Sequence, residues 1–177
     1  MESVLRYLLR WPSVEYFMSH YAWAWPLAEV VHFFGIVLLV GIVAVFDLRV
    51  LGVLKGLPLA PLQRLIPWAI FGFALAATSG LMFVTGIGAN LYGVHPYDVA
   101  MTDTWLQLKL LFMFLAGMNA LAFYFTGVSR TVDALGPDDD APPRAKLIAG
   151  ASLSLWLLVV YFGRLIPWGL QYTYGGQ

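Results

Sequence analysis

Eight residues carry the chemistry this chain can offer. Glu29 and His32 stand three apart in an unbroken apolar run, which puts them on one face of a helix. Lys109 and Arg164 lie in two further apolar runs, and Met82 and Met113 lie somewhat deeper in theirs. His20 and His95 complete the three histidines. These are donors for a metal ion or a metal-bearing prosthetic group: imidazole nitrogen, thioether sulfur and carboxylate oxygen, with two cations that can meet an acidic group. The chain has no cysteine, so thiolate zinc sites, iron–sulfur clusters, disulfides and cysteine nucleophiles are excluded. Each residue also has a plainer reading. Lys109 and Arg164 can snorkel to an interface, and Met is ordinary apolar filling. Glu29 can pair with Lys109 or Arg164, while His32 bonds a backbone carbonyl. His20 and His95 can be simple solvated side chains.

The elements that position these residues are legible from composition. Of 177 residues, 60% are hydrophobic and 11% charged, against about 25% charged in a typical soluble domain. Four apolar runs, at about 25–48, 65–87, 105–128 and 145–168, each reach the roughly 20 residues a bilayer-spanning helix needs. The predicted fold is all-α, an integral membrane four-helix bundle with an N-terminal interfacial helix. Residues 1–24 form an outer-face interfacial segment and 25–177 the transmembrane domain. In that first segment Val4, Leu5, Tyr7, Leu8 and Trp11 alternate with Arg6 and Arg10, and Pro12 interrupts the helix. The segment lacks the continuous apolar stretch of a cleavable signal peptide. The net charge of zero leaves no basic footprint for nucleic acid.

Basic residues set the orientation. Arg49, Lys55 and Arg64 flank the first connection and Arg130, Arg144 and Lys146 the third, whereas the middle connection has none. The positive-inside rule puts the first and third connections in the cytoplasm, and both termini with the 88–104 loop outside. Arg6 and Arg10 pull weakly the other way. Tyr21, Trp23, Trp25, Tyr92, Tyr97, Trp105, Trp168, Tyr172 and Tyr174 fall at the outer interface as an aromatic belt. Counting about 1.5 Å per residue, Glu29 and His32 lie roughly 6 and 10 Å below that interface, and Lys109 and Arg164 roughly 6 Å below it. The candidate chemistry is thus concentrated in the outer half. Gly72, Ala76 and Gly80 form a small-residue stripe, read as packing within the bundle. Asp138, Asp139 and Asp140 read as a solvated turn with no function required. Arg64-Leu65-Ile66-Pro67-Trp68 recurs as Arg164-Leu165-Ile166-Pro167-Trp168, but at opposite ends of two helices, so it reads as coincidence of composition.

The stretches Glu29-Val30-Val31-His32-Phe33-Phe34-Gly35 and Phe46-Asp47-Leu48-Arg49-Val50-Leu51-Gly52 resemble a small bacterial four-helix inner-membrane family without established function. The resemblance continues through Pro67-Trp68, Ser79-Gly80-Leu81-Met82-Phe83, Lys109 and Asn119-Ala120, touching all four helices. That family is distantly similar to the copper-resistance D group of membrane proteins, whose helices carry embedded histidines. The resemblance implies a bacterial inner-membrane location and a metal or haem role. The leading expectation is a membrane redox protein binding haem b, with copper as a further cofactor. His32 is then the axial ligand, Met82, Met113, His20 and His95 are candidates for the second, and Lys109 and Arg164 meet the propionates. Glu29 fixes the other ring nitrogen of His32 or ligates the metal itself, and a separate His20–His95 metal site is a further option. A copper-binding or copper-moving protein, with Met18, Met82, Met101, Met113 and Met118 as soft ligands, is the alternative. An accessory or scaffold subunit is the third reading. Expected partners are the lipid bilayer, further copies of the chain in a homo-oligomer, and a redox partner.

Overall fold

Residues 2–87 and 94–174 are described by a computed structural model, and all regular structure among them is helical. The order is α1 Glu2–Leu9, α2 Pro12–His20, α3 Ala24–Leu51, α4 Leu59–Gln63, α5 Ile66–Ile87, α6 Pro96–Thr102, α7 Thr104–Phe125, α8 Val128–Asp133 and α9 Pro143–Tyr174. Helices α3, α5, α7 and α9 coincide with four segments long and apolar enough to cross a membrane. Large side chains such as Val30, Phe33, Phe34, Val37, Phe71, Phe114, Leu147 and Leu157 face outward. In water this would be an interaction surface; on four apolar spans it is the surface that meets lipid. The protein is a multi-pass membrane bundle.

Local chemistry sets the helix ends. Gly52, at φ 91°, takes the left-handed position that stops α3, and its N–H caps the Leu48 and Arg49 carbonyls. Helix α3 therefore runs three residues past the expected boundary at 48. Pro143 opens α9, where a missing N–H costs nothing. Pro12 does the same for α2, so the expected break after α1 is present. The connections are not plain loops: α4 and α8 lie within the first and third, and α6 within the second. Residues 88–93, including Tyr92 of the expected aromatic belt, lie outside the described residues, as do the side chains of Tyr172 and Tyr174.

The long helices pack as two antiparallel pairs, α3 with α5 and α7 with α9, joined mainly through α3 and α9. At the α3–α5 crossing, a Cβ on Gly35 would lie 2.6 Å from the Gly72 carbonyl oxygen, and one on Gly72 would lie 2.8 Å from the Gly35 carbonyl oxygen. Two glycines thus bring the backbones into direct contact. The stripe of Gly72, Ala76 and Gly80 is packing within the bundle, as its spacing predicts.

The end of the bundle away from the termini is locked by polar contacts. Arg49 is 1% exposed and donates to three backbone carbonyls: Leu57 at 2.7 Å, Gly136 at 2.9 Å and Asp139 at 3.3 Å. It ties the first connection to the third. Asp140 bridges Lys55 and Lys146, at 2.8 and 2.7 Å, and these two ammonium groups hold its carboxyl down at about 2. Asp139 accepts the Gly136 N–H, closing the turn. The acidic run is a solvated turn, as expected, but it also clamps the two connections together.

At the terminal end, α1 buries none of its residues in the core and is tethered by a two-pronged contact from Arg6 to Asp98 on α6, at 2.6 and 3.1 Å. Its apolar side chains stay outward, as an interfacial helix requires. Helix α2 differs. Met18 is 3% exposed and lies over Gly86 of α5, which has no side chain to obstruct it. Half of the expected interfacial segment is therefore docked into the bundle.

Candidate functional site

The polar residues in the half of the bundle that bears the termini converge only in part. His32 projects from α3 toward α5, where its Nδ1 lies 2.9 Å from the Ser79 hydroxyl. Ser79 is 2% exposed and donates its own proton to the Leu75 carbonyl at 2.6 Å. The hydroxyl is thereby committed as donor, so toward His32 it accepts. The imidazole proton then sits on Nδ1, and Nε2 keeps its lone pair. Gly80 makes space for the ring: a Cβ there would come within 3.4 Å of His32 Cε1. Phe83 closes one side edge-on, with ring centres 5.4 Å apart.

Lys109 approaches from α7, near enough to His32 for their charges to interact. It makes no ion pair among the described residues. Its aliphatic stem and Nζ lie over Gly163 of α9, where a Cβ would come within 3.4 Å of both Cδ and Nζ. Pro167, four residues on within α9, has no N–H, so the Gly163 carbonyl loses its in-helix donor. The lysine lies against the α9 backbone at Gly163 without a counter-charge among the described residues. One residue from each long helix builds this site: His32, Ser79, Lys109 and Gly163.

The other candidates are dispersed. Glu29 does not join His32: it is exposed, accepts the Trp25 indole N–H at 3.1 Å and pairs with neither Lys109 nor Arg164. Three residues along a helix turn the chain through about 300°, leaving the two side chains some 60° apart, enough here for one to face a neighbour and the other lipid. Arg164 is exposed and unpaired among the described residues. Met82 is spent on the cluster of Met18, Ala24 and Ala28. Met113 stays half-buried one turn below Lys109. His20 is exposed and stacks on Tyr16, with ring centres 4.7 Å apart. His95 caps α6, its Nδ1 accepting the Tyr97 N–H at 3.1 Å. Nowhere among the described residues do three or more of His, Asp and Glu converge as metal donors, so His20, Glu29, His32 and His95 do not form one site.

Sequence reasoning missed Ser79 and Gly163. Ser79 had a weak signal, a lone hydroxyl beside Gly80 in an apolar helix. Gly163 had one in its spacing, four residues before Pro167. Asp103, also missed, caps α7 by accepting the Leu106 N–H at 2.8 Å, while its second oxygen is buried without a partner. Burial raises its carboxyl above the usual range.

No family model, curated protein or solved structure matches the chain. The functional reading rests on its own residues.

Proposed function

We propose that the protein binds haem b through His32 and serves as a membrane-embedded electron carrier. The observation that supports this is the pairing of an imidazole held against Ser79 and the Ala76 backbone with an ammonium lacking a counter-charge inside four apolar spans. Ionisable groups held within a membrane mark functional sites by default. An imidazole anchored through one nitrogen is prepared to ligate through the other. Toward such a group the chain would offer a single protein ligand: Ser79 holds His32, Phe83 offers an aromatic edge, and Lys109 is available to an acidic substituent. When bound, the haem would supply one-electron redox chemistry. The chain's part is to fix the imidazole, neutralise an acid and exclude water. Glu29 and Arg164, both turned outward, take no part in this reading. A copper site built from His20, Glu29, His32 and His95 fits poorly, because no three of these donors converge among the described residues and the cation Lys109 acts on His32.

In this reading the end bearing the termini faces the periplasm of a bacterial inner membrane. The cluster of Arg49, Lys55, Arg64, Arg130, Arg144 and Lys146 at the other end supports it. Their later burial or pairing is no objection, since topology is set during insertion, before the bundle packs. The protein also works as a homo-oligomer and meets a redox partner at that outer end.

The test is a reduced-minus-oxidised absorption spectrum with metal quantification, on protein from cells supplied with haem precursor and copper. Wild type should show a b-type spectrum at close to one haem per chain. His32→Ala should abolish it with the bundle still helical, and Ser79→Ala should lower occupancy. Wild-type protein carrying neither haem nor copper would refute the proposal and leave the accessory-subunit reading. A reporter active only in the cytoplasm, fused to the C-terminus, should stay silent.

A further inference from the structure

Lys109 turns inward without an ion pair, but near the same end of the bundle two further unpaired charges face outward among the described residues, and they are of opposite sign. Glu29 on α3 and Arg164 on α9 are both exposed, both inside the membrane-crossing segments, and neither forms an ion pair among the described residues. Glu29 holds only a neutral indole N–H. A charge facing hydrocarbon is costly unless it is paired or reaches water.

Their depths match. Trp25 of α3 packs against the small cluster that holds Leu170 and Ile166 of α9, so Trp25 and Leu170 share a level to within about one turn. Glu29 lies four residues further along α3, about 6 Å below that level. Arg164 lies six residues back along α9, about 9 Å below it. An arginine side chain spans the remaining difference. Symmetric copies in one membrane meet at equal depth, so Glu29 of one copy comes level with Arg164 of the next. The lipid-facing aromatic and aliphatic side chains around them, Leu27, Val30, Phe33, Tyr161 and Trp168, are large and exposed, suited to a packed contact that would exclude lipid from the pair.

We propose that the protein associates with a second copy of itself through an intermolecular ion pair between Glu29 and Arg164. The proposal rests on the homo-oligomer reading and names the residues that would carry it. In low dielectric, a carboxylate and a guanidinium meeting with two parallel N–H···O bonds give orientation as well as attraction. The arrangement needs no third component. It also accounts for two oppositely charged residues sitting at one depth on surfaces otherwise apolar.

Charge exchange in a mild detergent tests it, with mass read by light scattering and helicity checked by circular dichroism. Wild type should be oligomeric. Glu29→Arg alone and Arg164→Glu alone should each give monomer with helicity retained. The double variant should recover the wild-type mass, since exchange restores the pair. The natural absence of cysteine gives an independent readout. Copies bearing Glu29→Cys, co-expressed with copies bearing Arg164→Cys, should form a disulfide-linked dimer on mild oxidation. If the mass stays oligomeric in both reversals and the mixed cysteines do not cross-link, the pair is wrong while the oligomer stands. If the double variant fails to recover what the single ones lose, the pair is likewise rejected. A wild-type monomer at every concentration overturns both the pair and the oligomer.

Discussion

Replacing Gly35 by Ala should loosen the bundle at its tightest crossing. The added Cβ would sit 2.6 Å from the Gly72 carbonyl oxygen and 2.7 Å from the Ala76 nitrogen, both backbone atoms. Neither can move as a side chain can. Ordinary contact begins near 3.4 Å, so α3 and α5 must part locally by about 0.8 Å. A gap of that size forfeits roughly a quarter to a half of the dispersion well at each contact along the seam, and overpacking typically costs about 1–3 kcal/mol. We expect about 2–3 kcal/mol, roughly 5–10 °C in Tm for a chain of this length. A second effect follows one turn away. The His32 Nδ1 to Ser79 Oγ distance of 2.9 Å would stretch beyond hydrogen-bonding range if the parting is carried that far. Gly41→Ala on the same helix is the control, because nothing lies within 4 Å of its Cβ position. Thermal unfolding in a mild detergent, followed by circular dichroism, should show Gly35→Ala well below wild type and Gly41→Ala equal to or slightly above it. Equal melting of the two variants would refute the close-contact argument.

Arg49→Met should destabilise by about 2 kcal/mol, since it leaves the Leu57 and Asp139 carbonyls without their donor, while Gly136 keeps the Asp139 N–H; a melt within a degree or two of wild type would contradict that. Asp140→Asn tests the clamp by pH. Its folded carboxyl stands near 2, below the ordinary 3.8, so its contribution is complete above about 4 and disappears as pH falls toward 2. The Asn variant should show a flatter melting-versus-pH curve across that window, and an unchanged curve would count against the bridge. Arg6→Ala should leave the melt of the bundle almost unchanged, because the pair with Asp98 is exposed to solvent screening. It should nevertheless free α1, read as faster proteolysis at the N-terminus with the bundle intact. Gly163→Ala should be tolerated better than Gly35→Ala in the same melt, since its neighbour is the flexible Lys109 side chain.

The four spans and their polar asymmetry were present in the sequence, although α3 and α9 run past their expected ends, to Leu51 and Tyr174. Bilayer thickness demands length and apolarity, and both are properties of contiguous residues. Gly52, Pro12 and Pro143 act on their own backbones, so the stops and starts they impose are local as well. The glycine stripe on α5 was visible for the same reason, although its partner Gly35 was not, because pairing two stripes requires knowing which helices touch. Rotation about each helix axis had to be decided by tertiary packing. It separated Glu29 from His32 despite their spacing, turned Met82 into the α2 cluster, and set Lys109 against Gly163. It also drew Arg49, which counts in the sequence as an orienting charge, into a buried clamp. Helices that are apolar all round carry almost no amphipathic signal to announce their inner face. Which polar side chain finds a neighbour and which is left facing lipid was therefore settled only when glycine met glycine and the helices locked.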